Sequence, residues 1–233
     1  MNLDDGSLSV RSFDIGREAL KWIAIVTMTI DHIGAILHPE LTLLRLIGRI
    51  AFPIFGYLLV LGAETTRNAR NYLIRLLLFA IISQAPFYLA LGYTPLEDLN
   101  IFFTLALGLL FLMNPIMILI PFAVSFFVGF DYGLYGILLI AGMRLLRTNT
   151  RYGILMLILI CVLPLIGWDG TFNSIIQVFA LLALPLILLH NSGYLKVERE
   201  ISERSIYPRW TKYIYYAYYP IHLTILYLIK LHF

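Results

Sequence analysis

The strongest constraint on this chain is how its few charges are placed. Apolar stretches follow one another from about residue 20 to the C-terminus, and charged residues gather in short clusters between them. The composition is 60 % hydrophobic and 13 % charged, with a mean hydropathy of +0.84. An ordinary soluble domain is about a quarter charged. This chain carries more apolar side chains than one core of its size can bury. Those proportions exclude a soluble globular enzyme, a disordered segment and a nucleic-acid-binding domain. The net charge of +3 does not imply a nucleic-acid partner, because in a membrane chain the location of the positive charges outweighs their sum. The expected fold class is all-α: a polytopic transmembrane helical bundle with its apolar faces in the lipid bilayer.

A spanning helix needs about 20 residues. The apolar runs and the Gly/Pro punctuation predict spans over 20–38, 41–63, 72–92, 100–113, 115–130, 132–146, 152–167, 172–190 and 212–231. That is about nine, within a range of about 8–11. Spans between 100 and 150 are short and interrupted by Pro115, Pro121, Gly129, Gly133 and Gly136. Residues 1–19 hold Asp4, Asp5, Arg11, Asp14, Arg17 and Glu18 and lack the apolar core of a cleavable signal peptide. They read as a cytoplasmic N-terminal segment, and residues 20–233 as a single membrane domain. No convincing internal repeat is present, which weakens a secondary-transporter reading.

Charge placement supports this map. With the N-terminus cytoplasmic, the inner segments hold Arg11, Arg17, Lys21, Arg67, Arg70, Arg144, Arg147, Arg151, Lys196, Arg199, Arg204, Arg209 and Lys212. These are thirteen of the 17 basic residues. The outer loops hold Glu40, Glu97, Asp98, Asp131 and Asp169 and nothing basic. Such a bias is the positive-inside pattern of a plasma-membrane (bacterial inner-membrane) protein. Lys230 sits at a helix end, where it can snorkel. Arg45, Arg49 and Arg75 are left over.

Ionisable residues at bilayer depth are costly and mark partners or tasks. Asp31 and His32 lie about 15 Å beyond Lys21 at 1.5 Å per residue. Arg49 on the second span and His222 on the last reach a similar depth. Arg45 and Arg49 are four residues apart and share a helix face. Asp31 and His32 are about 100° apart, so they do not face each other. Asp31 is therefore expected to pair with Arg49 or Arg45. His32 is left to point elsewhere, toward His222 or into a cavity, and a neutral imidazole suits general-base work. Arg75 lies one turn into its span, near Arg67 and Arg70. Tyr213 and Tyr215 or Tyr216 fit an interfacial aromatic belt, whereas Tyr218 and Tyr219 fit a polar cavity better. Pro53, Pro86 and Pro220 fall inside spans, where each frees a backbone carbonyl. No P-loop, G-x-S-x-G, HExxH or CxxC motif is present. With one cysteine, Cys161, and scattered histidines, no metal site is expected.

From about Arg17 to the C-terminus the sequence resembles the TraX family of integral-membrane acetyltransferases. The resemblance is carried by Ala19-Leu20-Lys21, Ile23-Ala24, Met28 and Asp31-His32-Ile33-Gly34, and by the run from Arg45 to Phe55. It continues through Thr66-Arg67-Asn68, Tyr72, Arg75, Ser83, Pro86-Phe87, Asn100, Phe103-Thr104, Gly108 and Tyr218-Tyr219-Pro220-Ile221-His222-Leu223. Residues 113–200 match mainly in hydropathy. The family looks related to the wider transmembrane acyltransferases, including the type 3 enzymes of surface glycans. Those also place a basic residue and a histidine on the first helix, as Lys21 and His32 stand here.

The resemblance implies that His32 is the catalytic histidine and that the domain 20–233 is acyltransferase-like. It implies acetyl-CoA as co-substrate and, as acceptor, a membrane-associated pilin, glycan or other surface polymer. On that reading Arg67, Arg70 and Arg75 meet the coenzyme's phosphates. Arg49, Asn100 or His222 supplies a donor for the oxyanion, and Asp31 holds Arg49. Arg45, Asn100 and Tyr219 lie toward the substrate. Two other readings stay open: a proton-coupled transporter with Asp31, Arg49 and His222 as relay, and a non-catalytic membrane assembly protein.

Overall fold

The computed structural model describes residues 11–94, 97–166, 175–195, 198–201 and 211–232. Asp169, Lys196, Arg204 and Arg209, assigned above to loops, lie outside the described residues. The fold is nearly all-α. Helix α1 covers Ile15–Ile36, α2 Thr42–Gly48, α3 Ala51–Thr65, α4 Ala69–Leu91 and α5 Ile101–Met113. After a 3-10 turn over Pro115–Ile118 come α6 Leu119–Val124, α7 Gly133–Thr148 and α8 Thr150–Ile166. A second 3-10 segment, Gln177–Ala183, leads into α9 Leu184–Asn191, and α10 spans Thr211–Lys230. Among the described residues, three stretches are long and apolar enough to cross a membrane: Ile15–Ile36, Thr42–Thr65 and Ala69–Leu91. Several shorter apolar helices accompany them.

Local signals explain the boundaries. α1 starts at Ile15 rather than near residue 20 because Asp14 caps it, accepting from the Arg17 backbone N–H at 3.0 Å. Asn68 and Asn100 cap α4 and α5 in the same way. Gly92, at φ +80°, closes α4 in the left-handed conformation that glycine adopts freely. The second expected span is bent into α2 and α3. Pro53 has no N–H for the carbonyl of Arg49, four residues back, and its ring crowds that carbonyl. The chain tightens there, with the N–H groups of Arg49 and Ile50 bonding three residues back to Leu46 and Ile47. The stretch expected as a span over 115–130 is likewise broken, at Pro115 and Pro121, into the 3-10 turn and the short α6.

α1, α4 and α10 run in the same direction. Tyr215 of α10 meets Glu18 near the start of α1, and Lys230 reaches the Ala90 carbonyl at the end of α4. α3 packs on α1 from the other side and carries α5 and α7 on its far face, with α8 outside α7. The core includes Phe52, Ile54, Tyr57, Leu76, Leu109, Ile140 and Met143.

One end of the bundle gathers the basic residues. There Arg144 and Arg147 of α7 pair with Glu64 of α3, and Arg147 also bonds Asn191 of α9. At the same end the buried His190 joins the Tyr57 hydroxyl at 2.9 Å to the Asp14 carboxylate at 3.0 Å. The strand β1, Arg11–Asp14, pairs antiparallel with β4, Glu198–Ile201. At the opposite end β2, Asp98–Leu99, pairs parallel with β3, Gly129–Phe130. Gly129 lies against Asp98 in this pairing. Gly136 serves helix packing, set against Phe52 and Thr104.

α1 and α2 approach each other closely at two glycines. A Cβ on Gly48 would lie 2.1 Å from Asp31 Oδ1, and one on Gly34 2.7 Å from Leu44 Cβ. On Gly56 it would meet nothing closer than 3.5 Å. Gly48→Ala is therefore expected to destabilise the bundle by about 1–3 kcal/mol through overpacking, while Gly56→Ala leaves it near wild type. Thermal unfolding in detergent checks this, and equal melting of the two variants contradicts it.

Candidate active site

Asp31 and His32 are neighbours on α1 that reach different helices. Arg45 Nη1 lies 2.7 Å from Asp31 Oδ2, and Arg49 Nη2 lies 2.8 Å from Oδ1. Arg45 also reaches the Asp31 carbonyl at 3.3 Å. The expected choice between the two arginines thus resolves to both. Asp31 and Arg49 are buried, at 8 % and 7 % exposure. Arg49 lies over the Tyr132 ring at 5.5 Å, and its Nε–H is buried without an acceptor.

His32 turns toward α10. Its Nδ1 lies 2.7 Å from His222 Nε2, and the rings stack with centres 4.9 Å apart. The partners decide where the protons sit. His222 Nδ1 lies 2.8 Å from the Tyr218 carbonyl oxygen. A carbonyl only accepts, so Nδ1 carries the hydrogen and neutral His222 presents a bare Nε2. His32 Nδ1–H donates to it, which leaves a bare Nε2 on neutral His32. That nitrogen has no hydrogen-bond partner among the described residues. His222 is held further by stacking on Tyr218, 4.9 Å between centres, whose hydroxyl meets Thr29 Oγ1 at 2.7 Å.

Tyr219 sets its ring edge-on to both histidines, at 5.9 Å and 5.6 Å. Its buried hydroxyl lies toward Ile101 at the α5 N-terminus but makes no hydrogen bond of ordinary geometry. Asn100 is also buried, and its amide is fully engaged. Nδ2 donates to the Ala80 carbonyl and to Gln84 Oε1, each at 2.7 Å, and Oδ1 accepts from the Phe102 N–H at 3.0 Å. In this conformation it holds α5 against α4.

Two residues escaped the sequence reading. Tyr132 adopts φ +62°, a rare conformation for a non-glycine residue. Its ring stacks on Phe52 at 4.0 Å while covering Arg49. Asp131, placed in an outer loop by the hydropathy map, sits close enough to Arg49 and Asp31 to act on their charges. Its backbone is pinned by the Leu99 carbonyl at 2.8 Å and the Thr104 hydroxyl. No local pattern announces this placement, because it depends on the parallel pairing of 98–99 with 129–130.

Arg67, Arg70 and Arg75 stand apart from this cluster, toward the basic end. Arg67 and Arg70 are exposed. Arg75 is half-buried, its guanidinium 5.3 Å from the Tyr72 ring centre, and its Nε is buried without an acceptor.

The model of the family described as "TraX protein" matches residues 16–230. This chain belongs to the TraX family. Among its relatives, protein TraX of Escherichia coli is 28 % identical over 225 residues, covering 90 % of this chain and 85 % of that protein. Protein TraX of E. coli strain K12 is 34 % identical over 163 residues, 64 % of each chain. A probable fimbrial assembly protein FimC, serogroup H1, of Dichelobacter nodosus is 35 % identical over 150 residues, 55 % of this chain and 61 % of that protein. The matches thus span just under two thirds of the length of the FimC and K12 relatives. No solved structure matches. The TraX family match covers all of the Asp31, Arg45, Arg49, His32 and His222 cluster, and its outer end lies at Lys230.

In this TraX-family bundle Asp31 is the sole carboxylate in hydrogen-bond contact with Arg45 and Arg49 among the described residues. Asp31→Asn is expected to cost about 3–5 kcal/mol, because a buried pair broken on one side strands the other charge. Asp31→Asn/Arg45→Gln should lose less than the two single variants together. Denaturant titration of the four proteins in detergent measures the coupling, and strict additivity contradicts the paired geometry.

Proposed function

We propose that the protein is a membrane-embedded acetyltransferase, with His32 as general base. It moves an acetyl group from cytosolic acetyl-CoA to a hydroxyl or amine of an acceptor reached from the membrane or its outer side. The observation that carries this reading is the bare Nε2 of His32, fixed by the His222 hydrogen bond, on a ring close enough to feel the charge of Arg49, whose buried Nε–H has no acceptor among the described residues. The relatives support its direction: one is named a fimbrial assembly protein, which fits a pilin or another surface polymer as acceptor. The basic end then faces the cytoplasm of the inner membrane, in keeping with the positive-inside rule, and presents Arg67 and Arg70 to the coenzyme.

Acetyl-CoA supplies the thioester whose carbonyl carbon the acceptor attacks. His32 Nε2 takes the acceptor's proton as that bond forms and becomes imidazolium. His222 meets the new charge without reorganising, because its Nε2 already accepts from His32 Nδ1–H. The developing oxyanion needs a donor in a water-poor site. Arg49 Nε–H is the first candidate, being buried, charged and without an acceptor. The Tyr219 hydroxyl is the second. Asp31 keeps Arg49 in place, so that its guanidinium favours the anionic transition state. As the C–S bond breaks, the thiolate leaves with the proton that His32 carries. The imidazole is then neutral again, in its starting tautomer.

Purified protein assayed with radiolabelled acetyl-CoA tests this. His32→Ala is expected to fall to background turnover. His222→Ala is expected to lower kcat by about 10²- to 10⁴-fold, the range for losing acid–base assistance. Wild-type turnover by a folded His32→Ala protein overturns the assignment.

A further inference from the structure

Arginines without carboxylates occupy the basic end where α1, α4 and α10 begin. Arg17 stands in the first turn of α1 and Arg75 in the second turn of α4. Each has a buried Nε–H with no acceptor. Arg17 has one weak side-chain bond, to Thr65 Oγ1 at 3.5 Å. The Tyr72 hydroxyl lies within reach of both guanidinium charges and of the Tyr216 hydroxyl. Tyr216 in turn neighbours Arg75.

The nearby carboxylates are committed elsewhere. Glu18 is held by Lys21 and Tyr215, and Glu64 by Arg144 and Arg147. Two half-buried cations thus both act on Tyr72, and no described carboxylate side chain is in ion-pair contact with either. A charge held this way is costly unless a counter-charge arrives. The three parallel helices also turn their positive N-terminal ends toward this end of the bundle.

We infer that Arg17, Arg75, Tyr72 and Tyr216 form a phosphoryl-binding site. Two guanidinium forks and two phenolic O–H donors match the several acceptor oxygens of a phosphate ester, which arginine binds in bidentate fashion. A rising path of rings connects the site to the histidine pair. Tyr216 stacks within 6.0 Å of Phe102, Phe102 meets Tyr219 at 5.3 Å, and Tyr219 meets His32 at 5.9 Å. Six residues of α10 separate Tyr216 from His222, about 9 Å along the helix. A phosphate seated here belongs either to a soluble nucleotide whose apolar arm follows that path or to an anionic lipid headgroup. The nucleotide form rests on the acetyl-transfer reading above, and the anion site itself does not.

The test uses the full chain in nanodiscs of phosphatidylcholine, with Arg17→Gln, Arg75→Gln and the distant Arg151→Gln as control. Arg17→Gln keeps the α1 cap, which uses the backbone N–H. Arg17→Lys retains the charge should the glutamine variant melt early. Titration calorimetry measures coenzyme A and phosphate-free pantetheine in separate runs. Melting with increasing phosphatidylglycerol reports the lipid.

Loss of coenzyme A affinity by about tenfold or more in both variants, as expected for a charged hydrogen bond, with pantetheine binding unchanged, establishes the nucleotide source. Loss of the phosphatidylglycerol-dependent melting shift alone establishes the lipid source. Wild-type responses to both ligands in both variants overturn the site. Acetyl-CoA turnover separates the two proposals. Turnover with intact KM in the double glutamine variant removes the nucleotide source and spares the function. Phosphoryl binding without any turnover in the wild type does the reverse.

Discussion

A carboxylate buried between two helices must be neutralised, and Asp31 is neutralised twice. Its grip by Arg45 and Arg49 determines much of what surrounds it. The arginines must approach α1 closely, so a glycine stands at position 48, where a side chain would strike the carboxylate. They must come from one face, so they lie one turn apart. The chain must then change course to bury Arg49, and Pro53 produces that bend by removing the hydrogen bond to the Arg49 carbonyl. Charge, close approach and bend are thus one constraint expressed at three positions of the sequence. Ion pairs of this kind add little to stability over a well-packed apolar core. What this one contributes is position: it orients α1 relative to α2.

The orientation of α1 decides where His32 goes. Neighbouring helical residues diverge by about 100°, so fixing Asp31 toward α2 turns His32 toward α10. There the Tyr218 carbonyl sets the proton on His222, and His222 sets it on His32. The chain of dependence runs from a salt bridge to a tautomer without any direct bond between the two. It ends in an unprotonated ring nitrogen within the electrostatic reach of Arg49, whose buried Nε–H has no acceptor among the described residues, an arrangement suited to taking a proton and stabilising an anion.

Much of this was legible in the sequence because a membrane simplifies the reading. The low background of charge makes Asp31, His32, Arg49 and His222 conspicuous. Helical geometry alone separates Asp31 from His32 and puts Arg45 on the same face as Arg49. The sharing of Asp31 by both arginines was not legible, since spacing allows either. Nor was the role of Asn100, whose amide is spent on Ala80, Gln84 and Phe102. The pairing of 98–99 with 129–130, the positive φ of Tyr132 and the Asp14–His190–Tyr57 chain were invisible. The pairing and the side-chain chain join segments far apart in sequence, and periodicity carries no information about such contacts or about the φ of one residue. Family membership reaches the whole cluster at once, but it does not say which atoms meet.

The position of one proton on His32 underlies the proposed chemistry, and nitrogen NMR reads it directly. Protein labelled with ¹⁵N only at histidine, in detergent at neutral pH, gives ring signals that a His222→Asn spectrum assigns. A neutral His32 protonated at Nδ1 and bare at Nε2 is expected, with the Nδ1 signal shifting when His222 is replaced. A His32 protonated at Nε2, or charged at both nitrogens, contradicts it.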